Sequence, residues 1–132
     1  MTLVVDASVV AAALVDTGPV GRWAEGRLAD DRLAAPHLMP AEAANVLRRT
    51  EQRGEVTSDV AAMAYVDLID LSVELFGFEP YADRVWQLRD NITIYDAWYV
   101  ALAEYLDCSL VTLDRRLSTA TGPTCTFITP PG

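Results

Sequence analysis

Short runs of consecutive apolar residues alternate along the chain with longer stretches in which apolar positions recur every three or four residues, the period of a helix face. Leu3-Val4-Val5 has the length of a strand, and Ser8 to Leu14 follows as a helix that Ser8 can cap. Gly18 to Ala29 is a second helical stretch, and Leu33-Ala34-Ala35 is a strand stopped by Pro36. Pro40 suits the first turn of a helix reaching about Arg53 and ended by Gly54. Thr57 or Ser58 caps the next, which runs to about Leu71, and Val73 to Phe78 reads as a strand. Pro80 opens a helix ending near Asp90, and Thr93 precedes an apolar helix over Ile94 to Leu106. Leu110 to Leu113 and Cys125 to Ile128 complete the strands. This alternation predicts an α/β fold in which helices sandwich a parallel sheet.

Length changes the picture little, since 132 residues without repeats or a long linker make one domain, 1–132. No run approaches the roughly 20 apolar residues of a membrane helix, and the opening lacks a basic flank before a long apolar stretch. A soluble, cytoplasmic protein without a membrane partner is therefore expected. Cys108 and Cys125 lack metal-ligand spacing and read as buried thiols.

Charge narrows the chemistry. The net charge is −9, and all ten basic residues are arginine. Without lysine there is no P-loop lysine, no Schiff base and no lysine partner for a phospho-acceptor aspartate. His37 is the only histidine, so histidine-rich zinc sites are excluded too. An acidic chain repels nucleic acid overall, yet binds it where arginines cluster and a cation neutralises local carboxylates.

The acids fall where such a cation belongs. Asp6 and Asp114 follow the first strand and the Leu110 to Leu113 strand, at the carboxyl ends where open α/β sheets bind ligands. Each taken alone is also an ordinary cap aspartate. Glu42 lies early in the Pro40 helix, and Asn45 and Arg49 continue a polar stripe on its face. Asp96 begins a helix with almost no polar face, so its charge needs a cap role, a partner or a cation.

Three patterns resemble the PIN domain, particularly its VapC-type toxin branch. They are Val4-Val5-Asp6-Ala7-Ser8, Pro40-Ala41-Glu42-Ala43-Ala44-Asn45-Val46-Leu47, and Tyr95-Asp96-Ala97-Trp98-Tyr99-Val100-Ala101-Leu102-Ala103 with Leu110-Val111-Thr112-Leu113-Asp114 after it. The resemblance spans nearly the whole chain in order. It implies a three-layer α/β/α sandwich, a ribonuclease whose acids bind Mg²⁺ or Mn²⁺, a homodimer, and a small cognate antitoxin with a basic tail. Many members carry another acid shortly after the position of Asp114, whereas Arg115 and Arg116 stand here; one firmly held ion is expected.

Mg²⁺ prefers oxygen ligands and keeps several waters, so a few carboxylates around open positions suit it. Asp6 and Asp96 are the expected direct ligands, Asp114 a ligand directly or through water, and Glu42 a water-mediated ligand or base. Ser8 and Asn45 would orient waters or carboxylates. Arg49, Arg115 and Arg116 are candidates for phosphate contact, with a solvated or partner-binding face as the alternative for all three. A catalytically silent binding module, a Mg²⁺-dependent phosphoryl-transfer domain and a serine hydrolase using Ser8 and His37 are the competing readings. The last lacks a nucleophile-elbow pattern.

Overall fold

The computed structural model describes residues 1–29 and 31–132. Its elements are β1 (Thr2–Val5), α1 (Ala7–Val15), α2 (Pro19–Ala29), β2 (Arg32–Pro36), α3 (Met39–Gln52), α4 (Ser58–Asp70), β3 (Glu74–Phe76), a 3-10 turn (Glu79–Tyr81), α5 (Ala82–Gln87), α6 (Ile94–Leu106), β4 (Ser109–Val111), α7 (Arg115–Ser118) and β5 (Phe127–Ile128). The strands pair in the order β3-β2-β1-β4-β5, and every pairing is parallel. Leu3 is opposite Leu33 on one side of β1, and Val4 is opposite Leu110 on the other.

This order dictates the layers. From β1 the chain steps outward through β2 to β3, then returns across the sheet to β4. Right-handed crossovers therefore place α1 to α4 on one face, and α5 and α6 on the opposite one. The packing agrees: α1 lies against α2, α3 and α4, while α6 lies against α5 and against β1, β2 and β4. The direction reverses between β1 and β4, so the ligand crevice of an open parallel sheet belongs beyond their carboxyl ends.

The central strands are apolar on both faces because both are covered. Leu3, Val4, Val5, Leu110 and Val111 are buried, as are Val100 and Leu102 of α6 above them. Three boundaries differ from the sequence expectation. The N-cap of α1 is Asp6 rather than Ser8, because the Asp6 carboxylate accepts from the Val9 amide at 3.2 Å. Pro36 is the last residue of β2, opposite Phe76 of the short outer strand, so the strand ends at it rather than before it. The helix expected from Pro80 to Asp90 is shorter. It starts as a 3-10 turn, and beyond Gln87 the Leu88 and Arg89 amides bond three residues back, to Val85 and Trp86, which tightens the chain into a turn.

Two helix ends need a left-handed residue. Gly54 follows α3 at φ +74°, where it has no Cβ to clash, and Asp107 caps α6 at φ +52°. Cys108 and Cys125 are free, half-buried thiols at the amino-terminal edge of the sheet, away from the acids. Burial pushes both up, Cys125 to about 11.

Candidate active site at the carboxyl edge of the sheet

Asp6 leaves the end of β1 with its backbone amide bonded to the Val111 carbonyl of β4 at 3.2 Å, so it is placed by the sheet itself. Its side chain is held on both oxygens. The Ser8 hydroxyl donates to Oδ1 at 2.5 Å, and the fully buried Thr112 hydroxyl donates to Oδ2. Ser8 Oγ in turn accepts from the Leu113 amide at 3.4 Å, and Thr112 Oγ1 from the Asp114 amide at 3.0 Å. Burial pushes the Asp6 carboxyl up from its ordinary value, against the bonds from Ser8, Thr112 and Val9 that pull it down.

Asp96 enters from the first turn of α6. The cap there is Thr93, whose hydroxyl accepts from the Asp96 amide at 3.1 Å, so the Asp96 carboxylate is not used for capping. Burial raises its pKa, and the negative fields of Asp114 and then Asp6 raise it further. Asp96 therefore senses two of the other three expected acids. Asp96 and Asp114 line one open cleft of about 670 Å³, together with Arg89, Asp90, Thr93 and Arg116. Asp114 also caps the short α7, accepting from the Arg116 and Leu117 amides at 2.9 and 3.1 Å.

Glu42 reaches the group through Tyr99. The buried phenol donates to Glu42 Oε1 at 2.7 Å. Burial, the bond to Glu42 and the charges of Glu42 and Asp6 all raise the phenol's pKa, so it stays a neutral donor. Among the described residues, no three His, Cys, Asp or Glu side chains stand close enough together to grip one ion. The acids do not close into a cage.

The supporting residues divide. Ser8 is in the site, and Arg116 lines the Asp96–Asp114 cleft. Arg49 lines a neighbouring cavity between α1 and α3 that also contains Ser8. Asn45 stands apart, exposed, with its amide oxygen accepting from Arg48 at 2.9 Å. Arg115 is turned onto the Pro130 carbonyl. Three residues were not anticipated: Thr112, Tyr99 and Arg89. The first two had a signal in the sequence. Thr112 puts a hydroxyl into an apolar strand end, and Tyr99 lies three residues after Asp96, on the same helix face.

A parallel α/β/α domain with carboxylates gathered at its topological switch point defines a class of acid-site α/β proteins. Residues 3–122 match the family model described as the PIN domain. Ribonuclease VapC9 of Mycobacterium tuberculosis is 41% identical over 116 residues, 88% of this chain and 88% of that one. Among solved structures, PAE2754 from Pyrobaculum aerophilum aligns with a TM-score of 0.70 and 26% identity over 96% of this chain and 83% of its own. The structure of M. tuberculosis VapC20, a sarcin-ricin loop cleaving toxin, shares the fold at a TM-score of 0.67 and 15% identity, over 88% of this chain and 92% of its own. The chain belongs to the PIN domain family.

Proposed function

We propose that this protein is a Mg²⁺- or Mn²⁺-dependent endoribonuclease and the toxin of a toxin–antitoxin pair. The observation that carries the reading is the convergence of Asp6, Asp96 and Asp114, from three separate elements, onto the switch point of the sheet, with the Asp96 pKa raised in part by the other two acids. Carboxylates crowded without a cation repel, and a divalent ion relieves that repulsion. The donor set fits the ion: it is all oxygen, and two carboxylates on an open cleft suit Mg²⁺, which binds through one or two carboxylates and retains waters. The 41% identity to a ribonuclease over most of both chains supports the reaction class.

Asp96 and Asp114 face the cleft and would hold the ion, with Asp6 behind them and Glu42 acting through water. A bound divalent ion supplies an acidified water and charge neutralisation at the phosphate. The chain's own residues do the positioning. Ser8 and Thr112 fix the plane of the Asp6 carboxylate, and Tyr99 fixes one oxygen of Glu42, leaving Oε2 to orient or accept a proton from an attacking water. The α5–α6 turn and α7 wall the cleft on which RNA would lie.

A cytoplasmic homodimer and a small antitoxin with a basic tail belong to the same proposal. The exposed apolar side chains Val60, Met63, Tyr65, Val66 and Ile69 along α4 offer surface for association. An arginine of the tail would pair with the carboxylates and compete with the cation. No helix of the described residues is long and apolar enough to cross a membrane. The test is cleavage of single-stranded or looped RNA by purified protein with Mg²⁺, with Mn²⁺ and with EDTA. Activity is expected only with metal and is lost in Asp6→Asn; equal cleavage in EDTA overturns the reading.

A further inference from the structure

If RNA is the substrate, a chain of net charge −9 has to present its few free cations where the polyanion lies. Among the described residues there is a single ion pair, Arg84 with Glu104, so Arg89 and Arg116 are not neutralised by any described carboxylate partner. Both line the cleft that holds Asp96 and Asp114, and they reach it from two elements, the turn after α5 and the start of α7.

Arg89 is unusually well held for an exposed arginine. Its guanidinium lies 4.4 Å from the centroid of the Trp86 ring, and Nη1 donates to the Trp86 carbonyl at 2.8 Å. The Trp86 ring is itself 60% exposed, so it contributes little to the core. An indole left in water beneath a guanidinium acts as a platform: cation–π attraction fixes the plane of the fork and lowers the entropy lost when its other donors take an anion. Arg116 is fixed at its backbone by Asp114, which accepts from its amide at 2.9 Å. Asp90 lines the same cleft and opposes anion binding there, so two cations facing three carboxylates admit RNA through fixed contacts and not through bulk charge.

We propose that Arg89, held flat by Trp86, and Arg116 form a two-point subsite for backbone phosphates of single-stranded RNA on either side of the bond presented to the acids. Arg89 and Arg116 touch the substrate, and Trp86 is a positioning residue acting through Arg89. The inference rests on the ribonuclease reading, and it can fail without that reading.

The experiment measures binding of a dye-labelled eight-nucleotide RNA to the Asp6→Asn protein by fluorescence anisotropy, from 50 to 300 mM salt. It is paired with steady-state cleavage by the same substitutions in otherwise native protein. Each phosphate contact on a single strand contributes about 0.7 to the slope of log affinity against log salt. Arg89→Ala and Arg116→Ala should each flatten the slope by about 0.7, weaken binding roughly fivefold or more at 0.1 M salt, and raise KM with little change in kcat. Trp86→Ala should weaken binding as Arg89→Ala does, Trp86→Phe should restore most of it, and Arg53→Ala, an exposed arginine outside the cleft, should change nothing. Unaltered slopes in both cleft variants, or no RNA binding by an Asp6→Asn protein whose circular dichroism and thermal melt show it folded, overturn the subsite. Flattened slopes in a protein that cleaves no RNA with any divalent metal overturn the nuclease reading, and with it the placing of the subsite about a scissile bond, and leave only RNA binding by Arg89 and Arg116 standing.

Discussion

Replacing Tyr99 by Phe removes one oxygen from a buried position and asks what that oxygen does. The phenol is buried at the ring and donates at 2.7 Å to a carboxylate, a charge-assisted bond of the kind worth about 1.5–3 kcal/mol when its partner cannot be replaced. Glu42 is half-buried and can recover part of that loss from solvent, which brings the expected cost down to about 1–2 kcal/mol. A chain of 132 residues unfolds with an entropy of about 0.28 kcal/mol/K, so the melting temperature should fall by about 4–7 °C at neutral pH. Scanning calorimetry on native protein, Tyr99→Phe, Glu42→Gln and the double variant reads both the drop and the coupling. The coupling should be about 1 kcal/mol, because the bond draws its strength from the charge on Glu42. If the same interaction also holds Glu42 in the transition state, the cleavage rate should fall roughly 5- to 30-fold. A Tyr99→Phe protein that melts within 1 °C of native, or a drop that is undiminished in the Glu42→Gln background, refutes the argument.

Metal binding separates ligand from helix cap at Asp96. Native protein should gain roughly 2.7 kcal/mol at a Mg²⁺ concentration a hundred times the dissociation constant, while Asp96→Asn should gain much less and be at least as stable as native in EDTA, because it relieves repulsion from Asp114 and Asp6; identical Mg²⁺ shifts in thermal melts remove Asp96 from the site. Thr112→Val keeps the shape but strips the half-buried Asp6 and the Asp114 amide of a partner, so urea unfolding should show a loss of about 1–3 kcal/mol, and a loss below about 0.5 refutes the assigned role. Away from the site, burial works against the Glu104 carboxylate, but the two-pronged bond from Arg84 at 2.7 and 3.0 Å and the Thr124 amide hold its pKa below the ordinary value. A carboxylate lowered on folding stabilises above its unfolded pKa and loses that contribution as pH falls through the folded one. Glu104→Gln should therefore cost about 1 kcal/mol at pH 7, and the difference from native should shrink as pH falls below the ordinary glutamate range and through the lowered folded value; a difference that does not shrink on acidification contradicts it.

The sheet was legible because its central strands are covered on both faces and so read as unbroken apolar runs, and the long α6 because its caps and period are both plain. The outer elements were less so. β3 and β5 have one neighbour each and shrink to three and two residues, fewer than the runs Val73 to Phe78 and Cys125 to Ile128 predict. The gathering of Asp6, Asp96 and Asp114 at one edge of the sheet was legible from their positions at strand ends and a helix start. Their partners were not, because the Thr112–Asp6 bond spans 106 residues of sequence and the Tyr99–Glu42 bond spans 57, and no local pattern specifies such a pairing. Asn45 is the converse case. Helical spacing put it on the stripe of Glu42, but the nearer guanidinium of Arg48, three residues on, takes its amide.

The site is thus layered in a way that bears on how it works. Asp6 accepts hydrogen bonds on both oxygens, caps α1 and is tied to β4 through its own amide, so much of its capacity is committed to holding the edge of the sheet. Asp96 is free of capping duty and faces the cleft, while Asp114 divides its carboxylate between the cleft and the α7 amides. On the proposed reading, a cation entering from the cleft would meet the least committed carboxylate first and the most committed one last. The inner residues would then set geometry and field, and the outer ones would take the ion. Substitution of Asp6 should accordingly damage stability and activity together, whereas substitution of Asp96 should damage activity alone, a contrast that two acids of equal standing would not produce.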